Sequence, residues 1–145
     1  MKYLVLVSHG GFADGLKTSL AMFAGDQINR VFALGLEPGT SADTFKEKVN
    51  HFFDEHDFSN DDQFFVLADI VGGSPLTTFT SVLSERGFLA NSQIFGGTNL
   101  TMALTTLVSM DAMDKATLSS TILSEAGNAL EEFKVAAPED DDDEI

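Results

Sequence analysis

Four short apolar runs, each followed by a segment of helical periodicity, constrain this chain more than any other feature. They are residues 2–8, Ile28–Leu34, Phe64–Ala68 and Ser92–Phe95. The first and third are continuously apolar, the pattern of strands covered on both faces. The helical faces between them are equally legible. Leu16, Leu20 and Phe23 share one, stopped by Gly25. Phe45, Val49, Phe52 and Phe53 share the next, entered after Glu37-Pro38-Gly39 with Thr40 or Ser41 as cap. Leu76, Phe79, Val82 and Leu83 form a third, ended by Gly87, and Leu100, Leu104, Leu107 and Val108 a fourth. A last helix, capped by Asp114, carries Leu118, Ile122, Ala126, Leu130 and Phe133. Four alternations of strand and helix predict an α/β fold: doubly wound, with a mostly parallel β-sheet flanked by helices on both faces.

The 145 residues fit one domain with a core of ordinary size. It is expected over residues 1–135, followed by an acidic, disordered tail over 136–145 that contains Glu139-Asp140-Asp141-Asp142-Asp143-Glu144. The formal charge is −15, and those six acids leave −9 on the rest. A surface so poor in Lys and Arg excludes nucleic acid as a partner, because phosphate neutralisation needs clustered cations. It suits a basic protein partner, which the tail would help to guide. There is no cysteine, so thiol chemistry, disulfides and thiolate metal sites are out. No run has the length of a membrane span, and Tyr3–Val7 is too short for a signal-peptide core. A soluble, cytoplasmic protein is expected.

In sheets of this type chemistry gathers beyond the carboxyl ends of the strands, where strand order reverses. Three strand ends carry unusual turns: His9-Gly10-Gly11, Asp69 through Ser74, and Gly96-Gly97-Thr98-Asn99. His9 is the natural nucleophile or proton carrier. A carboxylate that accepts from one ring N–H fixes the tautomer and frees the other nitrogen, and Asp69 is the candidate. Gly72 and Gly73 let backbone approach a ligand. Ser74, read as an N-cap with Pro75 at the first helical position, opens a helix whose N–H groups and dipole suit an anion. Gly10, Phe12, Thr98 and Asn99 are read as rim positions, with capping the leading role for Thr98 and Asn99 and partner docking a role for Phe12. Asp14 sits where an acid favours the helix dipole without any chemistry. A histidine, an orienting aspartate and an anion cradle suggest phosphoryl transfer onto imidazole.

Absent motifs narrow the chemistry. The chain has no G-x-x-x-x-G-K-[ST], no strand-linked G-x-G-x-x-G and no G-x-S-x-G. His51 and His56 are five apart, off the i, i+4 face that holds zinc, and are read as solvated helix residues. No metal site is expected. A donor that already carries an activated phosphoryl group fits better than nucleotide hydrolysis.

At these blocks the sequence resembles the IIA component of the mannose-type (mannose/fructose/sorbose) bacterial sugar phosphotransferase system. The resemblance rests on Val7-Ser8-His9-Gly10-Gly11-Phe12-Ala13-Asp14-Gly15-Leu16, on Ala68-Asp69-Ile70-Val71-Gly72-Gly73-Ser74-Pro75 and on Gly97-Thr98-Asn99-Leu100. It implies that His9 is phosphorylated by the carrier protein HPr and passes the phosphoryl group to a IIB component for sugar uptake. Asp69 and Ser74 match the family's aspartate and its Gly-Gly-Ser/Thr-Pro turn. The resemblance further implies a homodimer, no bound organic cofactor, and only indirect dealings with the membrane components. Some members continue through an Ala/Pro-rich linker into IIB; the acidic run in its place leads to the expectation of a stand-alone IIA. Rival readings are a phosphoryl donor subunit for dihydroxyacetone phosphorylation, a non-catalytic regulatory module modulated at His9, and a receiver-like domain phosphorylated on Asp69. The Gly-Gly-Ser-Pro turn favours the sugar-transport branch.

Overall fold

A computed structural model describes residues 1–136. The expected acidic run therefore lies outside the described residues. Four strands, β1 (Lys2–His9), β2 (Val31–Leu36), β3 (Gln63–Ala68) and β4 (Ser92–Phe95), form one sheet in the order β2-β1-β3-β4. Every pairing is parallel. Helices α1 (Phe12–Ala24), α2 (Ala42–Glu55), α3 (Ser74–Glu85), α4 (Leu100–Ser109) and α5 (Lys115–Asn128) fill the connections. The chain steps outward from β1 to β2, then returns across β1 to β3 and β4. The topological switch therefore falls between β1 and β3.

Continuous apolar character in the strands has a direct cause. Successive side chains point to opposite faces, and both faces are covered. Leu4, Leu6, Phe65 and Leu67 pack with Leu20 of α1, Leu107 of α4 and Leu118 and Ile122 of α5. Val5, Val7, Phe64 and Val66 face the other way, against Phe45, Val49, Phe52 and Phe53 of α2 and Phe79, Val82 and Leu83 of α3. Full burial of each large side chain is worth roughly 1.5–3 kcal/mol. These layers hold the sheet rigid under the loops at its carboxyl edge. Among the described residues no helix is long and apolar enough to cross a membrane.

Several local expectations shift. The second strand begins at Val31, not Ile28, because Gly25 turns the chain at φ +56° into a short 3-10 segment, Gly25–Arg30. Ile28 reaches the core from that turn, so its apolarity marks burial, not extended backbone. Phe23 is exposed: the buried stripe of α1 runs through Ala13, Leu16, Leu20 and Ala24, and Phe23, on the Leu16 edge of that stripe in the last turn, stays uncovered. Val108 is likewise on the outer side of α4. The last helix stops at Asn128, next to Gly127, a weak helix former. Leu130 and Phe133, expected on its buried face, are exposed beyond it. His56 is not a solvated helix residue. It closes α2 with Nδ1 2.8 Å from the Phe52 carbonyl and stacks on Phe58. His51 does face solvent, where it meets Glu55 one turn on at 2.8 Å.

Candidate active site

The switch between β1 and β3 brings two strand ends side by side. Val7 pairs with Ala68, so His9 projects two residues past that pairing and Asp69 follows at once on the neighbouring strand. The Asp69 N–H donates to the Val7 carbonyl at 3.2 Å, which carries the ladder one step beyond β3 and fixes where its side chain starts. Asp69 Oδ2 accepts from the His9 backbone N–H at 2.9 Å and lies 2.9 Å from His9 Nδ1. Oδ1 accepts from the Ile70 N–H at 2.9 Å. Partial burial pushes the Asp69 carboxyl upward, but the hydrogen bonds from His9 and Ile70 outweigh it and hold the group below its ordinary value. Asp69 is thus a carboxylate and can only accept. In the neutral ring, therefore, Nδ1 carries the proton and Nε2 the lone pair. The His9 side chain is 45% exposed and that of Asp69 18%, so the acceptor is sheltered while the imidazole meets solvent.

The turn after β1 is built from small residues for stated reasons. Gly10 reverses the chain at φ +54°, a region that costs side chains of L-residues, and its N–H donates to the Leu36 carbonyl at 2.7 Å. Gly11 caps α1 but has no side chain to do so. Ser8 supplies the missing acceptor: its fully buried Oγ takes the Ala13 N–H at 2.8 Å. Strand and helix are thereby stapled across His9. Sequence reasoning overlooked Ser8, although one polar residue closing an otherwise apolar buried run was the signal.

The turn after β3 faces the imidazole. Gly72 takes φ +85° and Gly73 lies directly against the ring: a Cβ there would stand 2.6 Å from His9 Cε1 and 3.2 Å from Nε2. Gly73, not Ser74, is the N-cap of α3, because the Gly73 carbonyl accepts the first helical bond, from the Thr77 N–H at 3.1 Å. The expected cap moves back by one residue. Ser74 becomes the first helical residue and Pro75 the second, and Ser74 makes no side-chain cap. The Ser74 and Leu76 N–H groups have no partner within the helix, and Pro75 has none to offer. They belong to the turn that follows Gly73, the residue packed on the imidazole.

Phe12 is 45% exposed, Ile70 53% and Val71 76%, so both turns present apolar side chains around the ring. Thr98 and Asn99 turn elsewhere. Thr98 is buried with Oγ1 on Met102 Sδ at 3.5 Å, and its N–H donates to the Ala68 carbonyl. Asn99 caps α4 through the Met102 N–H at 2.8 Å and donates to the Ala126 carbonyl at 3.0 Å. Both brace the third turn, and both line a hollow with Met102, Leu123 and Ala126. Among the described residues no group of three His, Asp or Glu side chains is arranged to cage a metal ion.

A histidine with one nitrogen tied to a carboxylate, the other bare, and unfilled helix donors alongside is suited to carrying a phosphoryl group. The family model described as the fructose IIA component of the phosphotransferase system (PTS) matches residues 3–123. The PTS IIA protein associated with the fucose utilization operon of Streptococcus pneumoniae superposes with a TM-score of 0.71 at 28% identity, over 90% of this chain and 92% of that one. The mannose/sorbose specific IIA subunit from Enterococcus faecalis has a TM-score of 0.76 at 21% identity, over 94% and 98%. An EIIA component from Streptococcus agalactiae gives 0.73 at 23%, over 91% and 97%. The latter two speak for the fold alone. The match over most of the chain and the fold it shares with these subunits make the protein a member of the IIA family of the phosphotransferase system.

Proposed function

We propose that His9 Nε2 is a transient phosphoryl carrier between HPr and a IIB component, acting in the cytoplasm during sugar uptake. One observation carries the proposal: Nδ1 is held 2.9 Å from a carboxylate while the ring stays 45% exposed. Nε2 attacks phosphorus in line. The new Nε2–P bond forms as the N–P bond of the donor phosphohistidine breaks, and its electron pair returns to the donor nitrogen. The proton stays on Nδ1, where Asp69 stabilises the positive charge that develops on the ring. The free N–H groups of Ser74 and Leu76 and the dipole of α3 balance charge on the phosphoryl oxygens. Passage to IIB runs the same geometry in reverse.

Two proteins must reach one phosphorus in turn, which calls for an open shelf and not a cleft. Exposed Phe12, Ile70 and Val71 offer the apolar part of that docking surface. Residues 1–135 constitute the carrier unit in this reading, with the acidic run as an appendage and a homodimer as the working assembly. The test is incubation with phosphoenolpyruvate, enzyme I and HPr. The expected result is an acid-labile phosphate on His9 that moves on when IIB is added. No labelling refutes the carrier role; labelling without onward transfer favours a regulatory module.

A further inference from the structure

Two glycines outside the histidine and phosphate cradle occupy places where backbone conformation does not ask for glycine. Neither Gly35 nor Gly96 has a positive φ. Gly35 lies inside β2, opposite Ser8 of β1, and a glycine within a strand weakens it. What both positions lack is room. A Cβ on Gly35 would overlap the carbonyl oxygen of Gly10. A Cβ on Gly96 would overlap Val71 Cγ2 and stand 3.1 Å from the Val71 nitrogen and 3.3 Å from its Cβ. Gly10 belongs to the turn that holds His9. Val71 belongs to the turn that holds Asp69 and Gly73.

We infer that Gly35 and Gly96 are positioning residues: each leaves the notch in which one active-site turn is seated. The inference rests on the carrier reading of His9 and deepens it. β2 flanks β1, and Gly96 follows β4, which flanks β3. Each reactive strand end is therefore set in height by a missing side chain on its outer neighbour. On the β2 side the turn is also laced down, by the Gly10 N–H on the Leu36 carbonyl. On the β4 side the Thr98 N–H grips the Ala68 carbonyl just before Asp69. Val71 is open to solvent above but rests on Gly96 below.

The mechanical consequence is specific. A methyl group on Gly96 lifts Val71. Valine is stiff at χ1, so Cγ2 does not swing clear, and with the nitrogen and Cβ already tighter than ordinary contact the loop backbone yields. Gly73, two residues on, has no slack against the imidazole, and Asp69 is two residues back. Displacement of either loosens the Nδ1 hydrogen bond and lets the proton move to Nε2. Reaction geometry is sensitive on this scale, so a transfer rate about tenfold lower is expected.

The experiment compares wild type, Gly96→Ala, Val71→Ala and the double variant in the full chain, with Gly35→Ala alongside. Two readouts are taken: the His9 tautomer by 15N NMR of the neutral imidazole, and the single-turnover rate from phosphorylated HPr. Wild type should hold the proton on Nδ1. Gly96→Ala should show a mixed tautomer and a rate about tenfold lower, with a native circular dichroism spectrum. Adding Val71→Ala removes the Cγ2 overlap but keeps the nitrogen and Cβ contacts, so it should move the tautomer back toward Nδ1 and recover part of the lost rate. A wild-type tautomer and rate in Gly96→Ala overturn the inference, as does a double variant no better than Gly96→Ala. If Gly96→Ala does not fold, a folded double variant with the proton chiefly on Nδ1 supports the notch, and an unfolded one overturns it. If wild type accepts no phosphoryl group, the carrier reading falls while the tautomer series still judges the positioning role.

Discussion

Asp69→Asn isolates the feature on which the chemistry depends. The carboxylate accepts three N–H groups, two at Oδ2 and one at Oδ1. An amide has one acceptor oxygen and one donor nitrogen. If its oxygen stays toward His9, the nitrogen confronts the Ile70 N–H. If it turns, the nitrogen confronts the His9 N–H and donates to Nδ1, which drives the ring proton to Nε2 and blocks attack. Either way a charge-assisted hydrogen bond to Nδ1 is weakened or inverted. Such a bond is worth about 1.5–3 kcal/mol. At about 1.4 kcal/mol per tenfold, the transfer rate should fall roughly ten- to a hundredfold. The fold should survive, because Asp69 stands beyond the end of β3 and is not part of either core layer. Rapid-quench single turnover with saturating phosphorylated HPr measures the step without steady-state complications. A rate within twofold of wild type would refute the orienting role of Asp69, whatever the phenotype of His9 variants.

The same carboxylate predicts a pH signature. Its folded value lies below the ordinary one, so its stabilising contribution is present above about pH 4 and is lost as pH falls through the folded value. The stability gap between wild type and Asp69→Asn in urea titrations should therefore close on acidification below that point, and a constant gap would count against the hydrogen bonds described. His9→Gln should remove all labelling while thermal unfolding stays near wild type. Gly73→Ala places a methyl group 2.6 Å from His9 Cε1, so it should displace the ring from Asp69 and slow transfer by about tenfold or more, with stability little changed. Phe79→Ala empties a fully buried site between α3 and the sheet; it should cost roughly 3–5 kcal/mol in denaturant unfolding.

Strands and helices were legible because burial on both faces writes itself into the sequence as unbroken apolar runs, as in Phe64–Ala68. Asp114 announced its cap, and of the two candidates Thr40 and Ser41 the second caps α2; both caps accept from the N–H three residues on. Parallel strands put every strand-to-helix turn on one edge, which made Asp69 a candidate partner for His9; that β3 lies beside β1 is what the strand order adds. The single-residue shift from Ser74 to Gly73 was invisible, because the cap depends on which carbonyl receives the first helical bond. Phe23, Leu130 and Phe133 misled for a different reason: apolar residues at helical spacing do not say where a helix stops or how wide its buried stripe is. Gly35 and Gly96 could not be found by motif. Their meaning is the shape of a neighbour, and only the packed structure shows the neighbour.

The central claim is that the Nε2 nitrogen of His9 carries the phosphoryl group while Nδ1 stays bound to Asp69. Heteronuclear 15N–31P NMR of the protein, phosphorylated through enzyme I and HPr, tests it directly. The account predicts one acid-labile phosphohistidine, at His9, with phosphorus coupled to Nε2 and the Nδ1 proton retained. Phosphorus on Nδ1, on His51 or His56, or on a carboxylate would contradict it.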